Sequence, residues 1–536
     1  MQRNLIDCFP MLIVVFRGEY HKTIFPDPIL NNMTEHKPPL TLQPINAAEA
    51  WLHTGKTEPI RVIGTKAIRD TFDETALQQA IHSRLAPGVK QVVLNPDAHA
   101  GYGAPIGCVM VSPTHIYPGP VGVDIKCSMS LLQFELDADA VKERRVRREL
   151  IHAVCDRTPT GYGRHPRKAG KSRHVDRVLG FKAVTEGASQ DVCERLGIPP
   201  EWANRCEDAF HRGHNGTISA LAERLNHLLG KLMTPGKSFM SSFPEKMEQL
   251  GSYGGGNHFG ECEIVHVAGN DNARKTAEQF GLRDGNVAFL SHCGSRGFGN
   301  LLATGQFQVL QQKFQAWGVP FPANDKQLVY APLGSPEADD YLDDMALGGN
   351  FATVNHLLIN TLVYEAFQEV FPGVKADLIY YISHNIARLE PLDGKMVWVH
   401  RKGATRAFPA NHPSLAGTPF ETTGHPILLP GNPRDGSVVM VAEEGAVKSC
   451  YSVNHGAGRQ MSRMKANREL DQRGINDELD AEDILTNCRN YPKDEAPAAY
   501  KDFREVLKSV EGAGLAREVA RLKARFVIKD GDTADD

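Results

Sequence analysis

The chain has 536 residues, of which 41% are hydrophobic and 23% charged, with a net charge of −4. That length permits a large buried core and roughly two to four domains. The near-neutral balance excludes a wholly basic nucleic-acid coat, so contact with RNA or DNA would have to come from a local basic patch. The 10 cysteines are widely spaced and form no Cys-x-x-Cys pair, which argues against a zinc ribbon or a disulfide framework and for reduced thiols in a cytoplasmic protein.

Residues 1–58 read as a partly disordered leader. The apolar run at 11–16 is far shorter than a membrane span. Asp7 precedes it and no small-residue cleavage site follows, so a secretory signal is not expected, nor any membrane association. Met33 is an alternative start, and a short helix is expected over 47–52.

From Ile60 the pattern becomes regular. Alternation predicts a strand over 60–64, and Ala76, Leu77, Ile81 and Leu85 predict a helix over 74–85. A strand over 89–94 runs into a loop, Asn95-Pro96-Asp97-Ala98-His99-Ala100-Gly101-Tyr102-Gly103, of the kind that carries chemistry at strand ends. Asp124 and Cys127 follow, three residues apart among apolar neighbours. Such a pair can reach one metal ion; a buried free cysteine beside a turn aspartate is the alternative. Residues 136–250 read as mostly helical, with helices over 136–154 and 209–232. Arg144, Arg145, Arg147, Arg148, Arg164, Arg167, Lys168, Lys171 and Arg173 make a candidate phosphate patch there, or a solvated helix face.

Beyond 250, histidines recur beside glycine-rich turns. Gly254-Gly255-Gly256-Asn257-His258 leads to Glu261, and strands over 287–290 and 378–382 run towards His292 and His384. Helices are expected over 301–317 and 350–370, and strands over 263–267, 396–400, 427–429 and 438–441. His455 stands before Gly456-Ala457-Gly458, where the backbone can approach a phosphate, and Arg459 and Arg463 supply donor forks. One histidine in such a setting is usually structural. Four, with Asp124 and Cys127, point to a shared metal site.

The strings PDAHAGYGAPIG, VGVDIKCSM, GGGNHFGE, SHCGSRGFG, SHNIA, RKGATRA and NHGAGRQMSR, in this order, resemble the RtcB family of GTP-dependent RNA ligases over residues 60–529. The resemblance implies an α+β fold, with mixed β-sheets flanked by helices and a metal centre at strand ends and glycine-rich turns. It implies one catalytic domain over 59–529, followed by an acidic tail over 530–536. It also implies two Mn²⁺ ions, one held by Asp124 and His258 and the other by His292 and His384, with Cys127 bridging them. His455 would be guanylylated by GTP, then pass GMP to an RNA 3′-phosphate, which a 5′-hydroxyl attacks; a 2′,3′-cyclic phosphate would first be hydrolysed. The guanylate pocket would comprise Asn257, Glu261, Asn385, Pro430, Gly431, Asn432, Pro433, Ser437, Gly456, Ala457, Gly458, Tyr500 and Lys529. An archease-type activator is a candidate partner.

The chain departs from the family pattern in several places. Lys126 and Ser128 replace two glycines, Asn432 and Pro433 alter the guanylate turn, and Asn454 replaces a frequent cysteine. The chain also continues past Lys529, and that tail is expected to be disordered. Two other readings stay open: a metal-dependent phosphoesterase on RNA ends with His455 as general acid, and a catalytically silent RNA-end-binding factor.

Overall fold

The computed structural model describes residues 40–533 except 162–170, 172, 231 and 235–236. The apolar run at 11–16, Met33, Arg164, Arg167 and Lys168 lie outside the described residues.

Two sheets organise the chain. The first has seven strands, in the order Leu42–Pro44, Glu49–Leu52, Ile60–Ile63, Gln91–His99, Ile106–Ser112, Lys395–Lys402 and Asn385–Leu392. The second, of eight strands, runs Ala376–Ser383, Ser128–Asp137, Asn286–Cys293, Phe259–Val267, Ala516–Lys529, Gly436–Ala442 and Pro426–Asn432, with Leu485–Thr486 pairing parallel to Ala516–Lys529. Side chains alternate across the strands, as the pleat requires. Leu132 and Phe134 join the main core with Phe289 and Phe526, whereas Leu131 and Leu290 face a separate cluster with Phe280 and Phe420. A third cluster packs Val93, Val109 and Val399 of the first sheet against Ile427, Val438 and Met440 of the second, so the two sheets share a core. The chain is therefore α+β, with helices flanking mixed sheets.

The main core is threaded by one helix, Pro336–Val370, capped by Ser335, whose hydroxyl accepts from the Ala338 N–H. Apolar spacing locates only its second half, because Gly348-Gly349 reads as a break. In the fold those glycines admit neighbours: a Cβ on Gly348 would lie 3.1 Å from Ile125, and one on Gly349 2.9 Å from His211. The helix expected over 47–52 is instead the strand Glu49–Leu52, paired on both sides. The 136–250 section is largely helical, but its helices start later than the periodicity suggests, at Arg144–Cys155 and Ile218–Gly230. Of the tail, Asp532–Thr533 is ordered as a short strand against Cys488–Asn490.

Among the described residues, several of the basic side chains of this section are engaged with carboxylates. Arg147 is fully buried, with Nη2 2.8 Å from Asp483 Oδ2. Arg144 pairs with Asp480, Lys171 with Glu369 and Arg173 with Glu365.

Candidate metal centre and nucleotide pocket

Strand register gathers the ligands. In the second sheet Ser383 and Cys293 both pair with Ser128, His292 with Met129, and Phe259 with His292. Cys127, His258, His292 and His384 each lie at or next to one of these strand ends, so antiparallel pairing brings residues far apart in sequence to one end of one sheet. Main-chain bonds fix the turn: the Cys127 N–H donates to Asp124 O at 3.2 Å, and the His384 N–H to Cys127 O at 2.9 Å.

The result is two triads sharing one sulfur: Asp124, Cys127 and His258, and Cys127, His292 and His384, with donor atoms within 4.8 Å of one another in each. His258 Nε2 is 2.9 Å from Asp124 Oδ2 and 3.4 Å from Cys127 Sγ. His292 Nε2 is 3.2 Å from Cys127 Sγ and 3.3 Å from His384 Nε2. The outer contacts select tautomers. His258 Nδ1 donates to Tyr253 O at 2.8 Å and His292 Nδ1 to Asn257 O at 3.0 Å, leaving both Nε2 lone pairs facing inward. Asp124 Oδ1 is held by the Ser295 N–H at 3.0 Å, which frees Oδ2 for the centre.

Burial and neighbouring imidazoles push His292 and His384 well below the ordinary histidine range, so both are neutral donors. Burial and the Asp124 carboxylate push the Cys127 thiol well up, so a cation is needed to hold it as thiolate. Converging lone pairs that no proton can satisfy together fit a metal centre of mixed N, O and S donors.

Lys126, between the two ligands of the turn, adopts φ 56°, the left-handed conformation glycine takes readily. Its buried ammonium donates to Asp208 O and Thr353 Oγ1, both at 2.6 Å, which anchors the strained turn. Ser128 begins a strand, and its hydroxyl donates to Tyr381 Oη at 2.8 Å.

Beside this centre opens a cavity of about 780 Å³, within the usual size of a small-molecule site. Asn257, Glu261, Pro430, Gly431, Asn432, Pro433, Ser437, His455, Gly456, Ala457, Gly458, Tyr500 and Lys529 all line it. Asn385 is not among its lining residues. Its Oδ1 accepts from the Gly403 N–H at 2.8 Å and its Nδ2 donates to Asp124 O at 3.3 Å, so it ties the metal turn to the His455 segment. Asn432 lines the cavity, but its side chain caps its own turn: Oδ1 accepts from the Arg434 and Asp435 N–H groups and Nδ2 donates to Asp435.

His455 stands on the metal-side wall, its ring 4.6 Å from that of His384. Nδ1 donates to Asp97 Oδ2 at 2.7 Å and lies 3.0 Å from Gly403 O, so Nε2 carries the lone pair. Gly458 allows this approach. At φ 75° its backbone passes so close to residue 97 that a Cβ would sit 2.6 Å from the Asp97 Cα. Asp97 lies in the strand Gln91–His99, which runs through the first half of the segment expected as a loop after residue 94.

A residue without a sequence signal is Glu495. Its buried carboxylate meets Lys529 at 3.1 Å, Tyr500 Oη at 2.5 Å, Arg463 at 3.0 Å and Arg459 at 3.3 Å. Burial opposes its charge, but Lys529, Arg463, Tyr500 and Arg459 outweigh that and hold its pKa below the ordinary value. Arg459 and Arg463 are thus engaged with carboxylates of the wall. Glu261 has no such surplus: burial pushes it up to about 8 against the pull of Lys529. Glu263, deeper on the same strand, is driven well up by burial and by Glu261.

The description "tRNA-splicing ligase RtcB" belongs to the family model that matches residues 79–530. Proteins of that name are similar along nearly their whole length. The one from Thermococcus kodakarensis is 33% identical over 85% of this chain and 91% of its own. The Pyrobaculum aerophilum protein is 32% identical over 88% and 94%, and that of Archaeoglobus fulgidus 33% over 87% and 93%. With its fold, its two-triad centre and this full-length similarity, the chain belongs to the RtcB family.

Proposed function

We propose that the chain is an RNA ligase of tRNA splicing or RNA repair, using GTP and Mn²⁺ to join a 3′-phosphate or 2′,3′-cyclic phosphate end to a 5′-hydroxyl. Membership of a family described as tRNA-splicing ligases supports the RNA-joining activity. The observation that carries the mechanism is the free Nε2 of His455, held between a metal-ligand cluster and a nucleotide-sized cavity.

Cations bound by the two triads would neutralise phosphate charge and polarise the reacting phosphorus. The remaining steps belong to the protein's own groups. With Nδ1–H fixed on Asp97, His455 Nε2 attacks the α-phosphorus of GTP; a P–N bond forms and pyrophosphate leaves. Asp97 stabilises the positive charge that develops on the ring. The RNA 3′-phosphate then displaces the imidazole, and the 5′-hydroxyl displaces GMP. Glu261 and Lys529, facing the same cavity, offer an acceptor and a donor to the base edge.

Incubation with GTP labelled at the α-phosphate, with Mn²⁺, tests this. We expect an acid-labile, alkali-stable label on the protein that His455→Ala abolishes. Opening of a 2′,3′-cyclic phosphate by an unlabelled protein would replace the ligase reading with a phosphoesterase. RNA-end binding without either activity would leave a binding factor.

A further inference from the structure

Lys501 is nearly fully buried yet forms no ion pair among the described residues. Its Nζ donates to Pro96 O at 3.0 Å and Ala98 O at 2.7 Å, the two carbonyls on either side of Asp97. Its own N–H donates to Gly458 O at 3.0 Å, on the glycine turn after His455. One residue therefore joins the strand end that carries the orienting carboxylate to the turn that carries the nucleophile. A buried ammonium that makes no ion pair, 4.3 Å from the Phe72 ring, is a costly way to pin a strand end.

We propose that Lys501 is a positioning residue for His455: by clamping the carbonyls of Pro96 and Ala98 it holds the Asp97 carboxylate on Nδ1, and so fixes the tautomer that leaves Nε2 free to attack. Burial lowers the Lys501 ammonium to about 7, and Asp97 is the first group that opposes this, in keeping with a direct electrostatic link between them. The neighbouring side chain gives the clamp a second consequence. Tyr500 reaches the nucleotide wall through Glu495, while Lys501 reaches the two carbonyls that flank Asp97, so one stretch of backbone couples nucleotide pocket to nucleophile.

The inference rests on His455 being the nucleophile, and its test separates the two ideas. Nitrogen NMR of the full, metal-free chain labelled at histidine reads the His455 tautomer, the signal being assigned by its loss in His455→Gln. Wild type is expected to show the Nδ1–H form alone, and a mixed population in wild type overturns the proposal without any variant. In folded Lys501→Gln the Nδ1–H form should lose its dominance. Labelling at saturating GTP should then fall roughly ten- to a hundredfold while nucleotide affinity stays within about twofold. Lys501→Arg, which keeps a donor to both carbonyls, should restore most of the rate. An unchanged tautomer in Lys501→Gln overturns the proposal. A changed tautomer in a chain that GTP never labels upholds the clamp and refutes the ligase mechanism instead.

Discussion

The candidate metal cradle and the proposed nucleotide pocket share one end of the eight-stranded sheet but are held in opposite ways. The cradle gathers lone pairs: three imidazoles, a thiol and the Asp124 carboxylate, with His258 and His292 each turned inward by a main-chain carbonyl behind it. The pocket gathers full charges: Glu495 among Lys529, Arg459 and Arg463, beside a Glu261 that lacks such compensation. A cradle of converging lone pairs around one carboxylate is completed by a cation. A pocket of paired charges is largely complete before any ligand arrives, which leaves Glu261 as the carboxyl on its lining without a compensating surplus of cations.

If that contrast holds, four perturbations should separate the regions. The largest effect is expected from Cys127→Ala, which removes the one atom common to both triads. Metal content measured on the purified protein should collapse at both sites, while His384→Ala spares the Asp124–His258 side; full occupancy in the cysteine variant would break the bridge assignment. Next is Glu495→Gln. It strands buried Lys529 without its anion, and denaturant titration should show a loss of about 3–5 kcal/mol with metal content intact.

Third is the pH response of Glu261. Its folded pKa of about 8 lies above the ordinary 4.5, so the folded chain holds the extra proton in that window and loses stability as pH rises through it. A guanine edge donates hydrogen and needs the ionised form. Calorimetric guanosine-nucleotide affinity should therefore rise between pH 6 and 8, by up to about tenfold per pH unit, and this slope should vanish in Glu261→Gln. The smallest effect is expected from Lys126→Gly. Relief of the positive φ is worth about 1 kcal/mol, but the lost bonds to Asp208 and Thr353 outweigh it, for a net melting-curve loss of about 1–2 kcal/mol with both metal sites kept.

Legibility in the sequence followed the same divide. Histidine and cysteine beside glycine-rich turns are scarce residue types in a marked setting, so the cradle's ligands could be picked out before their contacts were known. Glu495 and Lys501 stand in unremarkable charged stretches, and Asp97 sits near the end of the strand Gln91–His99, whose place beside His455 depends on sheet pairing and on Gly458. The basic section around Arg147 shows the other limit. Its charge allowed a phosphate patch or a solvated helix face, and Arg147 is neither: it is buried against Asp483, more than three hundred residues away in the chain.

By itself, the sequence determined the family, the α+β class, most strands and helices of residues 60–529 and the residues that the fold gathers into the two triads, because these depend on local periodicity and on rare chemical groups. Only the tertiary structure decided which donors share a sulfur, which nitrogens of His258, His292 and His455 are held from behind, that Asn385 braces the centre while Asn432 caps its own turn, and that Lys501 grips the carbonyls on either side of Asp97. Those features depend on register across strands and on the distance between buried charges, and neither is written in the order of residues along the chain.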